Sequence, residues 1–158
     1  MQLKFQVATK IQKPIAEVFD AVQNPTKLSA YFTTGGASAP LTEGATVIWR
    51  FADYPGDIPV TVKKVIPNQS IVFEWDAYEP LAKPGDKTPP PTGYKTTVEM
   101  TFESLSPTNT LVRIVEGSWR DTQQGLDGSY GNCMGWTQML CCLKAWTEHG
   151  INLRKGFF

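Results

Sequence analysis

The hydrophobic period changes late in the chain, and that change limits the folds open to it. From about Ser129 to Glu148, spacing at 100° per residue gathers Cys133, Trp136, Met139, Leu140, Cys142, Leu143, Trp146 and Thr147 on one half of a helix, with Thr137, Gln138, Lys144 and Glu148 on the other. Gly150 supplies the stop signal. Upstream, apolar residues mostly alternate with polar ones, the period of strands with one buried face. One long helix with a broad apolar half must therefore be covered by a sheet.

The strands can be read in order. Leu3, Phe5 and Val7 alternate with Lys4, Gln6 and Ala8. Pro14 opens a short helix carrying Ile15, Val18, Phe19 and Val22, which Asn24-Pro25 ends; a second short helix runs from Pro25 to Tyr31 and is broken by Thr33-Thr34-Gly35-Gly36. Val47, Trp49 and Phe51 share one strand face, Asp53-Tyr54-Pro55-Gly56 turns the chain, and Ile58, Val60 and Val62 follow. After a turn at Pro67-Asn68-Gln69-Ser70 come Ile71, Phe73 and Trp75, and later Val98, Met100 and Phe102 alternating with Glu99, Thr101 and Glu103. Ser106-Pro107-Thr108-Asn109 leads into Leu111 to Glu116, whose apolar residues fall on both faces and predict a strand covered on both sides. Segregated strands and helices of this kind predict a single α+β domain over residues 1–158, its curved antiparallel sheet packed on the final helix.

Residues 78–94 break the alternation. These seventeen residues hold five prolines, including Pro89-Pro90-Pro91, together with Gly85 and Gly93. Proline cannot donate to a ladder, so the stretch reads as a Pro-rich inserted loop, either a lid or partner-binding segment or a plain extended insertion.

Composition excludes several functions. Fifteen Lys plus Arg balance fifteen Asp plus Glu, leaving no basic field for nucleic acid or acidic lipid. The apolar runs are too short to span a bilayer, and the alternating start Met1-Gln2-Leu3-Lys4-Phe5-Gln6 is unlike a secretion signal. Cys133 and Cys141 would stand about 12 Å apart along a helix, and adjacent Cys141 and Cys142 point in different directions. Free thiols and a cytoplasmic location are expected.

Few residues carry chemistry. His149, the sole histidine, falls in the last helical turn, where an imidazolium meets the negative end of the dipole. A zinc site from Cys142 and His149 fails, since seven helical residues rise about 10 Å. Glu74 with Asp76, and Glu99 with Glu103, read as a solvated sheet face rather than a catalytic pair. Gly35-Gly36 is too short for a phosphate loop, so neither cofactor nor metal is expected. One of Arg113 or Glu116, on the strand covered twice, is a candidate polar anchor for a pocket.

Further motifs carry a resemblance. Gly135-Trp136, Met139-Leu140, Leu143-Lys144 and Glu148-His149-Gly150 resemble the carboxy-terminal signature of the activator of heat-shock-protein (Hsp90) ATPase homologues, within the START and birch-pollen-allergen-like (SRPBCC) superfamily. Ile11, Pro14, Val18, Phe19 and Ala21 resemble the first-helix pattern of that family, and Thr96 to Phe102 with Leu111 to Trp119 resemble its last two strands. The resemblance implies a helix-grip fold, six or seven strands bent around the long helix, with a cavity between them and two short helices after strand one. It also implies, as a second reading, a co-chaperone acting on a heat-shock ATPase in a stress response. Against this, the eukaryotic-type activators carry an additional preceding domain, for which 158 residues leave no space. A polyketide-cyclase-like enzyme is a third reading.

Five Trp, five Tyr and eight Phe give the chain an aromatic excess. Trp49, Phe51, Phe73, Trp75, Met100, Phe102 and Trp119 on the strands, with Trp136, Met139, Leu140 and Leu143 on the helix, are the candidate ligand-binding residues. The expected function is binding of a small apolar or aromatic molecule without turnover. Met134, Cys141 and Ala145 form an apolar patch on the outer half of the helix, a candidate for weak homodimerisation.

Overall fold

The computed structural model describes residues 2–80 and 91–156. Ten elements follow in order: β1 (Leu3–Ile11), α1 (Ile15–Gln23), α2 (Pro25–Ser29), β2 (Gly36–Ala37), β3 (Thr46–Phe51), β4 (Tyr54–Ile66), β5 (Ser70–Asp76), β6 (Lys95–Ser106), β7 (Asn109–Trp119) and α3 (Gln123–His149). The strands form one seven-stranded sheet in the order β1-β7-β6-β5-β4-β3-β2. Every pairing is antiparallel, and α3 fills the concave face, giving the helix-grip arrangement. No described helix is long and apolar enough to cross a membrane.

Local chemistry sets the boundaries. The Asn24 side chain accepts from the Thr26 and Lys27 amides and Pro25 occupies the first turn, so α1 stops where α2 begins. The Tyr31 hydroxyl donates to the Ala21 carbonyl at 3.0 Å and its ring stacks on Trp146, tying both short helices to α3. The C-terminal half of α3 is fixed to the end of β1: the Gln12 amide donates to Glu148 at 2.8 Å, and Lys144 donates to the Lys10 carbonyl at 2.8 Å. Glu148 thus belongs to an anchored contact rather than to a solvated half of the helix.

Three boundaries and the burial of one strand differ from the sequence reading. Tyr54, Pro55 and Gly56 belong to β4, because Phe51 pairs directly with Tyr54 and the turn shrinks to Ala52-Asp53. The second helix ends at Ser29 rather than Tyr31. β7 buries only one face: Thr110, Val112, Ile114 and Glu116 point inward, while Leu111, Arg113 and Val115 are half-exposed. The final helix starts six residues before Ser129, capped by the Thr122 hydroxyl, which accepts from the Gly125 amide at 3.1 Å.

Glycine hid that early start, and packing explains it. A Cβ at Gly128 would lie 2.2 Å from the Tyr78 carbonyl oxygen, and one at Gly125 would lie 2.2 Å from the Arg120 carbonyl oxygen. The first turns of α3 press against backbone, so side chains are excluded there. The Pro-rich loop expected at 78–94 has described ends: Ala77 donates to the Tyr94 carbonyl at 3.0 Å, and Arg120 lies over the Tyr94 ring at 4.2 Å. Residues 81–90 fall outside the described residues.

Gly128→Ala is expected to lower the free energy of unfolding by about 1–3 kcal/mol through overpacking against Tyr78. Gly135 faces open space, so Gly135→Ala should raise it by about 1 kcal/mol through helix propensity. Urea unfolding of the two variants beside wild type checks both, and equal effects would show that the Tyr78 contact sets no limit.

Candidate ligand-binding groove

Trp49, Phe73, Val98, Met100, Ile114, Met139 and Leu143 are all at most 1% exposed and belong to one core with Leu140 and Phe102. A groove of about 700 Å³ opens at one end, between the β3–β4 hairpin, the end of β5 and the first half of α3. Phe32, Phe51, Trp75 and Trp136 form its aromatic wall, Gly131 and Gly135 leave the helix side bare, and Arg154, beyond α3, reaches across its rim.

Of the eleven candidate residues, Phe51, Trp75 and Trp136 line this groove, Trp136 at its floor with 2% exposure and within the core as well. Trp49, Phe73, Met100, Phe102, Met139, Leu140 and Leu143 lie in the core, and Trp119 is buried beside Gly128. Sequence reasoning missed Phe32, which approaches Phe51 edge-on at 5.0 Å and Trp136 at 5.8 Å. Its position in the turn after the short helices gives no periodic signal. Met134, placed on an outer patch by helical spacing, is exposed and stands at the groove rim.

Behind the wall lies Glu116, fully buried. The β-ladder explains its surroundings: Glu116 pairs with Val98 and that residue with Phe73, while Trp75 pairs with Thr96 one step along the same inward face. Its Oε1 accepts from Trp75 Nε1 at 2.9 Å, Thr96 Oγ1 at 2.6 Å and Asn132 Nδ2 at 3.1 Å. Its Oε2 accepts from Trp136 Nε1 at 2.8 Å and Asn132 Nδ2 at 3.2 Å. Asn132 and Trp136 stand four residues apart and so share one face of α3. Both indoles thus aim their N–H groups at one carboxylate, with ring centroids 5.2 Å apart. Of the two candidate anchors, Arg113 lies on the opposite face and donates to Glu103 at 2.8 Å.

Burial raises the Glu116 carboxyl above its ordinary range, and the hydrogen bonds from Thr96, Trp75, Trp136 and Asn132 oppose that rise. The ring and amide nitrogens can only donate to it, so the arrangement suits an ionised acceptor. At the rim, Asp53 holds Arg154 through contacts of 2.7, 2.9 and 3.1 Å, Asp57 holds Arg50, and Asp76 holds Lys95. Among the described residues, no group of three His, Cys, Asp or Glu could hold a metal ion.

Residues 12–148 match the family described as Activator of Hsp90 ATPase homolog 1-like protein. The chain belongs to that family. The resemblance carried by Ile11 to Val22 and by Gly135 to Gly150 therefore extends over most of its length. Among solved structures it is similar to a protein from Staphylococcus saprophyticus, with 24% identity, 96% of each chain covered and a TM-score of 0.75. It is also similar to the Aha1 dimer from Colwellia psychrerythraea, at 21% identity over 94% of this chain and 98% of that one, TM-score 0.70. DynU16, a protein of the dynemicin biosynthetic locus, matches at 21% identity over 94% of this chain and 48% of its own, TM-score 0.73. At these identities the likeness is one of fold. No curated protein matches the chain.

A carboxyl whose pKa is raised in the folded state binds its proton more tightly when folded. Its contribution to stability is complete below the ordinary glutamate value of about 4.3 and is lost as pH rises through the folded value. Relative to Glu116→Gln, which has no such proton, wild type is expected to lose stability across that window and to run parallel on either side. Urea midpoints between pH 4 and 8 test this; curves parallel throughout would show that the carboxyl titrates alike in both states.

Proposed function

We propose that the protein binds a small, flat apolar or aromatic molecule in the groove beside Trp75 and Trp136 and does not convert it. The observation that carries this reading is the open cleft of about 700 Å³ bordered by Phe32, Phe51, Trp75 and Trp136. Clefts of this size with aromatic walls and few polar groups are typical small-molecule sites. A cyclase-like reaction would need a poised acid or base. Both oxygens of Glu116 are already engaged, and the rim carboxylates Asp53, Asp57 and Asp76 are each paired with a cation, which favours binding over turnover.

The family description supports a second reading, stimulation of a chaperone ATPase, and the relative from Colwellia is described as a dimer. For self-association of this chain, exposed Met134 and Tyr130 on α3 are the surface to disturb. Sedimentation of wild type should show a concentration-dependent dimer that Met134→Glu removes; monomers in both would remove the idea. The free thiols of Cys133, Cys141 and Cys142 support a reducing, cytoplasmic setting.

The groove is tested directly with N-phenyl-1-naphthylamine, an uncharged dye that brightens on leaving water. Wild type should bind it at micromolar concentration, equivalent to about −8 kcal/mol. Gly135→Trp projects an indole into open space and should weaken binding at least tenfold while the urea midpoint stays near wild type. A dye that fails to bind native protein, or binds both forms equally, would place the ligand elsewhere.

A further inference from the structure

The groove carries an electrostatic asymmetry, read here on the basis of the binding function proposed above. Among its described lining residues the carboxylates Asp53, Asp57 and Asp76 are each paired with a cation, Arg154, Arg50 and Lys95 in turn, so the asymmetry comes from the layer behind them. Immediately behind the lining is the Glu116 carboxylate, and among the described residues every group that hydrogen-bonds to it is neutral. A charge held without a counter-ion in a low-dielectric interior projects its field further than one at the surface. That field reaches the groove through Trp75 and Trp136. An indole that donates its N–H to an anion is polarised so that its ring becomes more electron-rich, which strengthens its attraction for cations.

The rim shows what such a surface attracts. The Arg154 guanidinium sits 4.7 Å from the centre of the Phe51 ring and 5.6 Å from that of Phe32, with Asp53 holding its nitrogens from the side. A cation between an aromatic face and a carboxylate is the arrangement that proteins use to hold organic cations.

We propose that the groove selects a positively charged ligand, a flat apolar body bearing an ammonium or amidinium group, and that the cation takes the place on Phe51 and Asp53 now held by Arg154. The tail arginine and the ligand cation then compete for one subsite. An anionic ligand is opposed by Glu116, and a neutral one gains nothing from it.

A matched series tests charge alone: (1-naphthylmethyl)ammonium, 1-methylnaphthalene and 1-naphthylacetate, each displacing N-phenyl-1-naphthylamine from the full chain at neutral pH. The ammonium is expected to displace the dye at roughly one-tenth the concentration needed for the carboxylate and below that for the neutral compound, with the gap narrowing as salt screens the rim charges. Arg154→Ala should tighten the ammonium severalfold more than it tightens the neutral compound. Glu116→Gln should weaken the ammonium severalfold, and the wild-type series stands whether or not that variant folds. If the neutral or anionic compound competes as well as the ammonium, the charge preference is wrong while the binding reading stands. If the dye itself does not bind wild type, the binding reading falls and takes this inference with it.

Discussion

A carboxylate buried without a counter-ion is tolerated only where several donors converge on it, because removing that charge from water is costly. Glu116 meets this condition with donors from both layers: Trp75 from β5, Thr96 from β6, and Asn132 and Trp136 from α3. Each contact constrains an element. The strands must keep their register for Trp75 and Thr96 to reach the same oxygen, and the helix must keep its rotation for Asn132 and Trp136 to face the sheet. A shift of α3 by one residue would turn both side chains by about 100° and leave the charge unsupported. The position of the long helix against the sheet is therefore set at Glu116 as much as by the apolar stripe beyond it.

The groove follows from the same constraint. With their N–H edges held inward, Trp75 and Trp136 cannot rotate to close the space in front of them, and Phe32 and Phe51 pack edge-on to continue the wall. Along α3 the composition divides the labour. Gly125 and Gly128 allow close backbone approach, and Gly131 and Gly135 leave the helix bare where it borders the groove. From Trp136 onward, Met139, Leu140, Cys142 and Leu143 fill the core. One end of the helix leaves space and the other fills it.

This division explains what could be read from the sequence. The stripe from Trp136 to Leu143 announces itself by spacing, and so do the alternating strands, which is why the sheet and its helix partner were legible. The start of α3 was not, since four glycines in thirteen residues look like loop until Tyr78 and Arg120 are seen pressing against them. Tyr54-Pro55-Gly56 also resembles a turn, yet pairing across Phe51 draws it into β4. In β7, apolar residues at 111, 112, 114 and 115 obscured the alternation. Counting by two from Val112 through Ile114 leads to Glu116 and excludes Arg113, a distinction that only the neighbouring strands make plain. For the groove, periodicity identified inward faces but not which inward positions the core would fill. That depends on how far the helix reaches along the bent sheet, which is a property of packing.

The Asp53–Arg154 contact joins the stability of the chain to the chemistry of the groove. Arg154 is mostly buried and meets both oxygens of Asp53, a geometry stronger than an exposed ion pair, and it ties the segment after α3 to the tip of the β3–β4 hairpin. It also covers part of the aromatic wall. A neutral molecule that displaced it would leave Asp53 without its cation in a partly desolvated place, and one that left it alone would have only the remaining part of the cleft. A cationic molecule could exchange with the arginine and keep the carboxylate compensated throughout. The chain's own contact thus makes the whole wall easiest to reach for a ligand that resembles the side chain it replaces.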